Sequence, residues 1–335
     1  MWRPFNLLFL AYYVKSTNYR KLLANMHWVH QHKGKSYLGL AMDLLGSTQK
    51  YAASFDDYMV YRFFELDDAV RSSYANSGIM HRFYAQMNDR RYKKLFRSKA
   101  LFYKHFGQLM GRQCLYLREC APEAFAEWIS TRPLVVVKPN CGMQGIGIEF
   151  VDTTIRRPEE LYITLLQKGQ DFVEEPIKQH ESLQKLNPSC VNTLRVITVC
   201  TRNQIDIIGS ILKCGIGGSR VDNMDAGGIS TPVDQTSGQV YRSATTCSVW
   251  SLRYESHPDT LQPLLGFKVP FWGSVMDLAR TAASIVPQVR TVGWDIAITS
   301  QGAVLVEGNS GWGAGLWQIP EGGGRLDVLR RYADL

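Results

Sequence analysis

The sequence has no C-x-x-C pair, and its seven cysteines are an odd number, scattered along 335 residues. A disulfide framework usually has an even number of cysteines, and zinc sites often use a C-x-x-C pair, so neither is expected here. Scattered single thiols are typical of reduced proteins, and we expect a cytoplasmic protein. Low-complexity tracts and internal repeats are also missing, which indicates an ordinary globular chain.

Long hydrophobic runs are missing as well. The apolar run Phe5–Val14 near the N-terminus is too short to span a bilayer, and no A-x-A-like cleavage site follows it. We expect this run to form a buried first helix. The alternative is a helix that contacts the inner face of a membrane peripherally.

Acidic residues are nearly absent from one segment. Between Arg82 and Arg118 lie ten lysines and arginines and a single acid, Asp89, whereas the whole chain has a net charge of +8. Such a segment suits an anionic partner, such as a nucleotide, a nucleotide-sugar or a lipid phosphate. None of the standard nucleic-acid-binding motifs is present, so nucleic acid is not expected as a partner.

Pro133 separates two regions with different patterns. Residues 1–130 contain long amphipathic stretches and are predicted to be mostly helical. Further on, runs typical of strands lie at 134–138, 145–151, 171–174, 194–200 and 205–213, followed by a hairpin at 292–299 and 303–307. Helices are predicted at 158–168 and at 274–286, where Pro287 ends the second one. This order predicts an α+β fold and not a doubly wound parallel sheet.

The predicted hairpin carries two acids in an apolar setting. Its turn at residues 300–302 would bring Asp295 and Glu307 opposite each other. Two neighbouring carboxylates in an apolar sheet repel and lose hydration unless a cation compensates them. Asn309 would add a third oxygen, and a hard divalent cation such as Mg²⁺ accounts for all three. The alternative is an edge hairpin whose acids face water.

A second informative stretch is VVVKPNCGMQGIGIEFVD, residues 135–152. A strand ends in Lys138, and a loop with Gly142, Gly145 and Gly147 leads into another strand. Glycines let backbone N–H groups approach an anion closely, and the lysine adds a positive charge. Because a strand follows the glycines, neither a Walker A loop nor a Rossmann fingerprint fits. The pattern indicates a flap over phosphates, or else a glycine-rich hairpin turn without a ligand.

A third stretch, residues 171–198, joins a strand that ends in Glu174 to a strand that contains Arg195. An arginine among valine, isoleucine and leucine needs an anionic partner, and a phosphate or carboxylate ligand fits its planar guanidinium. The alternative is a structural ion pair with Glu174, Glu175 or Asp206.

The order of these parts resembles the ATP-grasp superfamily. The phrases RSKALFYKHF, GMQGIGI, EEPIKQHESLQKLNPS, GWDIAIT and GAVLVEGN are similar to its sugar-transfer-associated branch, which is related to α-L-glutamate ligases. The resemblance extends over roughly residues 55–320. It implies an ATP-grasp fold, in which two α+β subdomains grip ATP between them, here with a helical N-terminal region.

The resemblance also implies an ATP site. Its predicted members are Lys99, Lys138, Gly142, Gln144, Gly145, Gly147, Glu174, Glu175, Ile177 and Glu181. The two lysines would bind the phosphates, with the flap closing over them. Three other lysines compete for the role of the first one: Lys93, Lys94 and Lys104. Glu174 and the backbone that follows it would hold the adenine edge, and Glu181 the ribose hydroxyls, although His180 occupies a neighbouring position.

Beyond the phosphates, the resemblance implies a metal site and an acceptor site. One or two Mg²⁺ ions would be held by Asp295, Glu307 and Asn309. Arg195 would steady the transferring phosphoryl group or the carboxylate that receives it. The acceptor side would be lined by Lys213, Arg220 and Asn223.

The activity that the resemblance implies is an ADP-forming carboxylate–amine ligase, which makes an amide through an acyl phosphate. Its partners would be ATP, a carboxylate and an amine, either an amino acid or sugar-linked, in cell-surface polysaccharide or related biosynthesis. A lipid-linked acceptor is one option. The alternatives are an ATP-grasp phosphotransferase and a regulatory or scaffold protein that binds ATP without turnover.

We expect four segments along the chain. They are a helical N-terminal region at 1–95, a helical lead-in at 96–130, a small lid subdomain with the flap at 131–185, and a large catalytic subdomain at 186–335.

Overall fold

A computed structural model describes residues 4–142 and 145–335 of the protein. Its α-helices are α1 (Pro4–Ser16), α2 (Tyr19–Lys33), α3 (Tyr37–Tyr51), α4 (Phe55–Val60), α5 (Asp68–Ser72), α6 (Ser77–Met87), α7 (Lys99–Phe106), α8 (Pro122–Ser130), α9 (Pro158–Gln167), α10 (Glu181–Leu186), α11 (Trp272–Ile285), α12 (Ala314–Glu321) and α13 (Leu326–Arg330). A 3₁₀-helix, Arg90–Phe96, precedes α7.

The N-terminal helices begin and end where the sequence supplies capping residues. Asn18, Ser36 and Ser54 each accept a backbone N–H of the first turn of α2, α3 or α4. In α4, Asp57 also reaches back to the backbone of Ser54, which completes a capping box. Gly34 ends α2 in the left-handed conformation, which glycine adopts without steric cost.

The strands form two antiparallel sheets. They are β1 (Cys114–Tyr116), β2 (Leu134–Lys138), β3 (Glu149–Asp152), β4 (Phe172–Glu174), β5 (Leu194–Cys200), β6 (Ile205–Cys214), β7 (Ile229–Pro232), β8 (Ala244–Thr246), β9 (Arg253–Tyr254), β10 (Thr291–Thr299) and β11 (Gly302–Asn309). The four-stranded sheet has the order β1-β4-β2-β3, and the seven-stranded sheet has the order β11-β10-β5-β6-β7-β8-β9.

The predicted α+β fold and hairpin are confirmed. In the pairing of β10 with β11, Asp295 lies opposite Glu307, and the register then shifts so that Ile296 faces Leu305. This irregularity leaves Val306 without an opposite residue, as in a β-bulge, a feature that often redirects side chains beside functional sites. On its other edge β10 pairs with β5, where Asp295 faces Arg195.

Two element predictions are wrong in part. The predicted strand at 145–151 begins only at Glu149, because Gly145 and Gly147 have φ angles of +74° and +78°, which a strand does not accommodate. The region at 96–130, predicted to be helical, contains the short strand β1, which joins the four-stranded sheet beside β4.

The helical N-terminal region has its own aromatic-rich core, which includes Tyr58, Phe63 and, from the β8–β9 connection, Val249. The predicted buried first helix is buried on one side: in α1, Tyr13 is buried, whereas Tyr12 is exposed. Over residues 4–142 and 145–335, no helix has both the length and the apolar character needed to cross a membrane.

Candidate functional site

A cavity of about 440 Å³ is lined by residues of both sheets. Its volume is within the usual range for small-molecule sites. Thirteen residues predicted from the sequence line it: Lys99, Lys138, Gly142, Gly145, Glu174, Ile177, Arg195, Lys213, Arg220, Asn223, Asp295, Glu307 and Asn309. The chain therefore brings together residues up to 210 positions apart, from Lys99 to Asn309.

Three predicted residues do not line this cavity, namely Gly147, Glu175 and Glu181. The carboxylate of Glu175 instead accepts hydrogen bonds from Arg132 Nε at 2.8 Å and from the backbone N–H of Gln113 at 2.8 Å. Glu181 is exposed at the start of α10. Its role as the ribose ligand stays a prediction. Gln144 lies outside the described residues.

Lys99 is the only one of the four competing lysines that lines the cavity. Its ammonium donates to the backbone oxygen of Pro139 at 2.9 Å and to that of Gly142 at 3.4 Å. Burial and the positive charge of Lys138 lower the pKa of Lys99. Two cations that line the same cavity beside the flap form an environment that attracts a polyanion.

Lys138 shares a buried carboxylate with an arginine that the sequence analysis had counted only as part of the basic segment. Lys138 Nζ lies 2.6 Å from Glu174 Oε1, while Arg112 Nε and Nη2 lie 3.1 and 3.0 Å from Oε2. Burial alone would raise the pKa of Glu174, but the two cations outweigh it and lower this pKa to about 2. With both of its oxygens bound, the adenine role of Glu174 stays a prediction.

Asp295 is compensated by protein cations. Arg195 binds it with two parallel hydrogen bonds, Nε to Oδ1 at 2.5 Å and Nη2 to Oδ2 at 2.9 Å, and Lys213 Nζ lies 3.1 Å from Oδ2. Burial would raise the pKa of Asp295, but these neighbours hold it below its usual range. The partner of Arg195 is therefore Asp295 and not Glu174, Glu175 or Asp206, the three acids that the sequence suggested.

A further acid, Asp222, fixes the loop that carries Arg220 and Asn223. Its Oδ2 accepts hydrogen bonds from Thr193 N at 2.9 Å and Thr193 Oγ1 at 2.6 Å, and its Oδ1 lies 3.5 Å from Lys213 Nζ. Burial would lower the pKa of Lys213, but Asp222 and Asp295 raise it. The signal for Asp222 in the sequence was its position between two predicted acceptor residues.

Glu307 and Asn309 supply oxygen donors at the end of β11. They are separated by one residue, and Asn309 Nδ2 donates to Glu307 Oε1 at 3.1 Å. Hard oxygen donors are what Mg²⁺ requires, so this pair fits the ion, with Asp295 as the neighbouring carboxylate. Within 4–142 and 145–335, no three His, Cys, Asp or Glu side chains form a metal-binding cluster. The predicted metal set contains only two acids and one amide.

The flap contacts the loop with the acceptor residues. A Cβ atom on Gly145 would lie 2.6 Å from Val221 Cγ1, so glycine alone permits this approach. Two exposed apolar side chains, Ile146 of the flap and Phe150 of β3, also line the cavity. A smaller cavity of about 40 Å³ shares Lys99 with the larger one and adds Arg97, which the sequence analysis did not single out.

Known structures with a similar arrangement include ATP-grasp enzymes. D-alanine–D-alanine ligase from Bacillus anthracis has a TM-score of 0.43 at 11% identity, over 76% of this chain and 74% of that chain. The ATP-grasp ligase PsnB, complexed with its minimal precursor, has a TM-score of 0.39 at 14% identity, over 71% of this chain and 61% of that chain.

Carboxyaminoimidazole ribonucleotide synthase from Aspergillus clavatus, complexed with ATP, has a TM-score of 0.39 at 13% identity. The match covers 65% of this chain but only 45% of that one, so the present chain spans about half its length. Comparison with curated protein sequences gives no match.

Residues 79–333 match the family described as sugar-transfer associated ATP-grasp. This match includes both sheets and every residue that lines the cavity. Because it extends over well more than half of the sequence, the protein belongs to the sugar-transfer associated ATP-grasp family and has the ATP-grasp fold.

Proposed function

We propose that the protein is an ATP-dependent carboxylate–amine ligase that forms ADP and phosphate. The observation that supports this most directly is the composition of the 440 Å³ cavity. It combines two lysines beside a glycine flap with oxygen donors on β11 and two further cations, Arg195 and Lys213. Such a set fits a substrate with several phosphates at one end and a carboxylate at the other.

ATP would lie with its phosphates at Lys99 and Lys138. Both ammonium groups are already fixed by hydrogen bonds, Lys99 to carbonyl oxygens and Lys138 to Glu174. Preorganised cations stabilise charge on the phosphoryl oxygens without first having to reorganise. Ile177 would offer an apolar surface to the base, and the exposed side chains of Ile146 in the flap and Phe150 in β3 would exclude water.

Glu307, Asn309 and Asp295 would hold one or two Mg²⁺ ions. Bound there, Mg²⁺ would neutralise charge on the phosphates and orient them. Apart from binding the metal, Asp295 and Glu307 have different roles in the protein. Asp295 is buried and fixes Arg195 and Lys213, whereas Glu307 is exposed and makes only one side-chain hydrogen bond among the described residues.

The chemistry would proceed in two displacements. A carboxylate oxygen of the first substrate attacks the γ-phosphorus of ATP, and the bond to the β-phosphate oxygen breaks, which releases ADP. The amine nitrogen then attacks the carbonyl carbon of the acyl phosphate, phosphate leaves, and the nitrogen loses a proton. Arg195 and Lys213 would orient the carboxylate and balance the charge that develops on its oxygens. Arg220 and Asn223 would contact the acceptor.

We assign the reaction to glycan assembly, with an amino-acid or sugar-linked amine as acceptor, on the support of the family description alone. Three forms of the acceptor fit this assignment: a free, a nucleotide-linked or a lipid-linked one. We also infer a cytoplasmic location, because all seven cysteines are free thiols, as in a reducing compartment. Peripheral contact with the inner membrane face stays a prediction from the sequence.

The test uses purified protein with Mg·ATP and a panel of carboxylic acids, without amine but with hydroxylamine. An acyl phosphate reacts with hydroxylamine to give a hydroxamate, which is detected by its iron complex or by mass spectrometry. We expect ADP release and a hydroxamate with at least one acid. Addition of an amine panel should then convert the same acid into an amide.

Two other outcomes of this assay would favour the alternative functions, a phosphotransferase and a regulatory or scaffold protein. ADP release with a phosphorylated alcohol, and no hydroxamate, would identify a phosphotransferase. Tight Mg·ATP binding with no ADP release under any condition would identify a regulatory or scaffold protein.

A further inference from the structure

The N-terminus of α7, which carries Lys99, is docked on one residue of the segment between β2 and the flap. The backbone oxygen of Asn140 accepts the N–H of Lys99 at 3.0 Å. The side-chain oxygen of Asn140 accepts the N–H of Ala100 at 2.9 Å and the hydroxyl of Ser98 at 3.1 Å. A single residue outside the helix therefore binds two of its first N–H groups.

These bonds complete the hydrogen bonding of the first turn of the helix. The first N–H groups of an α-helix have no partner within the helix and need an external acceptor. In α7, Asn140 accepts the first two, and Ser98 Oγ accepts that of Leu101 at 3.3 Å. An external residue that supplies both acceptors fixes the position of the helix end and so of Lys99.

Asn140 is in turn fixed to the sheet that carries the second lysine. It follows Lys138 by two residues, and its own N–H donates to Asp171 Oδ1 at 2.9 Å. The other oxygen of Asp171 is bound by Arg118 at 2.5 Å. Lys138 is therefore joined to the N-terminus of α7 by one short piece of backbone, through both the backbone oxygen and the side-chain oxygen of Asn140.

The electrostatic repulsion between the two lysines has to be offset by contacts elsewhere in the protein. Both are positive, and their repulsion contributes to the lowered pKa of Lys99. The ammonium of Lys99 bonds to the carbonyl oxygens of Pro139 and Gly142 at the flap base, and the backbone of α7 sets where its side chain begins.

We propose that Asn140 is a positioning residue, which sets the separation of the two lysines for the phosphates of ATP through its side-chain oxygen. This role rests on the proposed ATP-dependent function. It concerns a residue that the proposed function does not place in contact with either ATP or the acceptor. The essential feature is the acceptor atom, which binds Ala100 and Ser98.

The test compares Asn140→Ala with Asn140→Asp at a temperature well below unfolding. Aspartate keeps an acceptor oxygen for Ala100 and Ser98, and its negative charge is favourable at a helix N-terminus. Alanine removes the acceptor. We expect the affinity for Mg·ATP, measured by calorimetry, to fall about 5-fold or more in N140A and to stay within about 2-fold in N140D. Amide hydrogen exchange at Ala100 should be faster in N140A only.

The matched control is Asn203→Ala, which changes an exposed asparagine in the turn between β5 and β6. It should bind Mg·ATP like the wild-type protein. Wild-type affinity in N140A, or an equal loss in N140A and N140D, would overturn the role of the acceptor oxygen while the proposed function stands. Failure of the wild-type protein to bind Mg·ATP would overturn the proposed function, and this role with it.

Discussion

The carboxylate of Glu174 neutralises two cations inside the protein, and this makes stability depend on pH. Its pKa is lowered from 4.5 to about 2 in the folded state. The stabilisation is therefore complete above pH 4.5 and is lost as the pH falls from 4.5 towards 2. At neutral pH, Glu174→Gln would leave Arg112 and Lys138 with no buried counter-charge. We expect its free energy of unfolding in urea to be lower by roughly 3 kcal/mol.

This difference between wild type and variant should shrink steadily below pH 4.5, because protonation removes the same charge from the wild-type protein. Glu127→Gln, on the exposed face of α8, is the control and should unfold like the wild-type protein at every pH. A difference between E174Q and wild type that is constant from pH 7 to pH 3 would contradict the assigned ion pairs.

The two acids of the hairpin should respond differently to loss of charge. Glu307 is exposed and makes one hydrogen bond, so Glu307→Gln should change stability by less than about 0.5 kcal/mol. Its loss as a magnesium ligand should lower turnover about 100-fold or more. Asp295→Asn leaves Arg195 buried without its counter-charge and Lys213 with Asp222 alone, and we expect roughly 3–5 kcal/mol of destabilisation. Urea unfolding and ADP release measure the two effects.

Glu255→Gln is the control for both variants, because Glu255 is exposed and does not line the cavity. Should E307Q keep full turnover with a suitable substrate, the metal role of Glu307 is wrong. Should D295N unfold like the wild-type protein, the cations at that position are not compensated by Asp295.

At the level of elements, β10 approaches its neighbours so closely that one position must be glycine. A Cβ atom on Gly293 would lie 2.7 Å from Trp312 Cβ and 2.8 Å from Arg195 Cδ. Gly293→Ala would push the strand away from Arg195 and Trp312, and we expect a loss of about 1–3 kcal/mol in stability. Turnover should also fall, because Arg195 moves. Thermal unfolding and ADP release are the measurements.

The control is Gly46→Ala within α3, where an added Cβ has no neighbour within 4 Å. Because alanine favours the helical conformation more than glycine does, this variant should be more stable than the wild-type protein by about 0.5–1 kcal/mol. If G293A is as stable as the wild-type protein, then β10 can shift without affecting Arg195.

The strands that were predicted correctly are those whose hydrophobic pattern is complete within one short stretch of sequence. Leu134–Lys138 and Leu194–Cys200 were predicted at the observed bounds because each is a continuous apolar run of strand length. The strands β1, β7, β8 and β9 were not predicted. Each has two to four residues and exists only through pairing with a distant neighbour. Short apolar stretches carry too little periodicity to show this.

The same distinction applies to the site. The hairpin register is local, so the sequence was sufficient to bring Asp295 opposite Glu307. The partner of Arg195 was missed because it depends on the order of strands in the seven-stranded sheet, which brings β5 beside β10. Arg112 was missed for a similar reason: its contact with Glu174 joins residues 62 positions apart, across a strand that was not predicted.

At the scale of the whole molecule, the cavity is the place where the two sheets contribute to one ligand site. Lys138 and Glu174 belong to the four-stranded sheet, and Arg195, Lys213 and Asp295 to the seven-stranded one. A ligand that binds both sets stabilises the folded state as a whole, because unfolding of either sheet releases it. The size of this effect depends on the ligand concentration relative to its dissociation constant.

Mg·ATP should therefore raise the unfolding temperature of the whole protein. At 100 times its dissociation constant the expected stabilisation is about 2.7 kcal/mol, which corresponds to roughly 4 °C for a chain of this size. Differential scanning fluorimetry measures it, with ATP in EDTA and Mg²⁺ alone as comparisons that should give smaller shifts. Lys99→Ala should reduce the shift, whereas Lys104→Ala, which changes a competing lysine that does not line the cavity, should retain it. The reverse result would assign the phosphate role to Lys104, and the full wild-type shift in both variants would mean that neither lysine of α7 is a phosphate ligand.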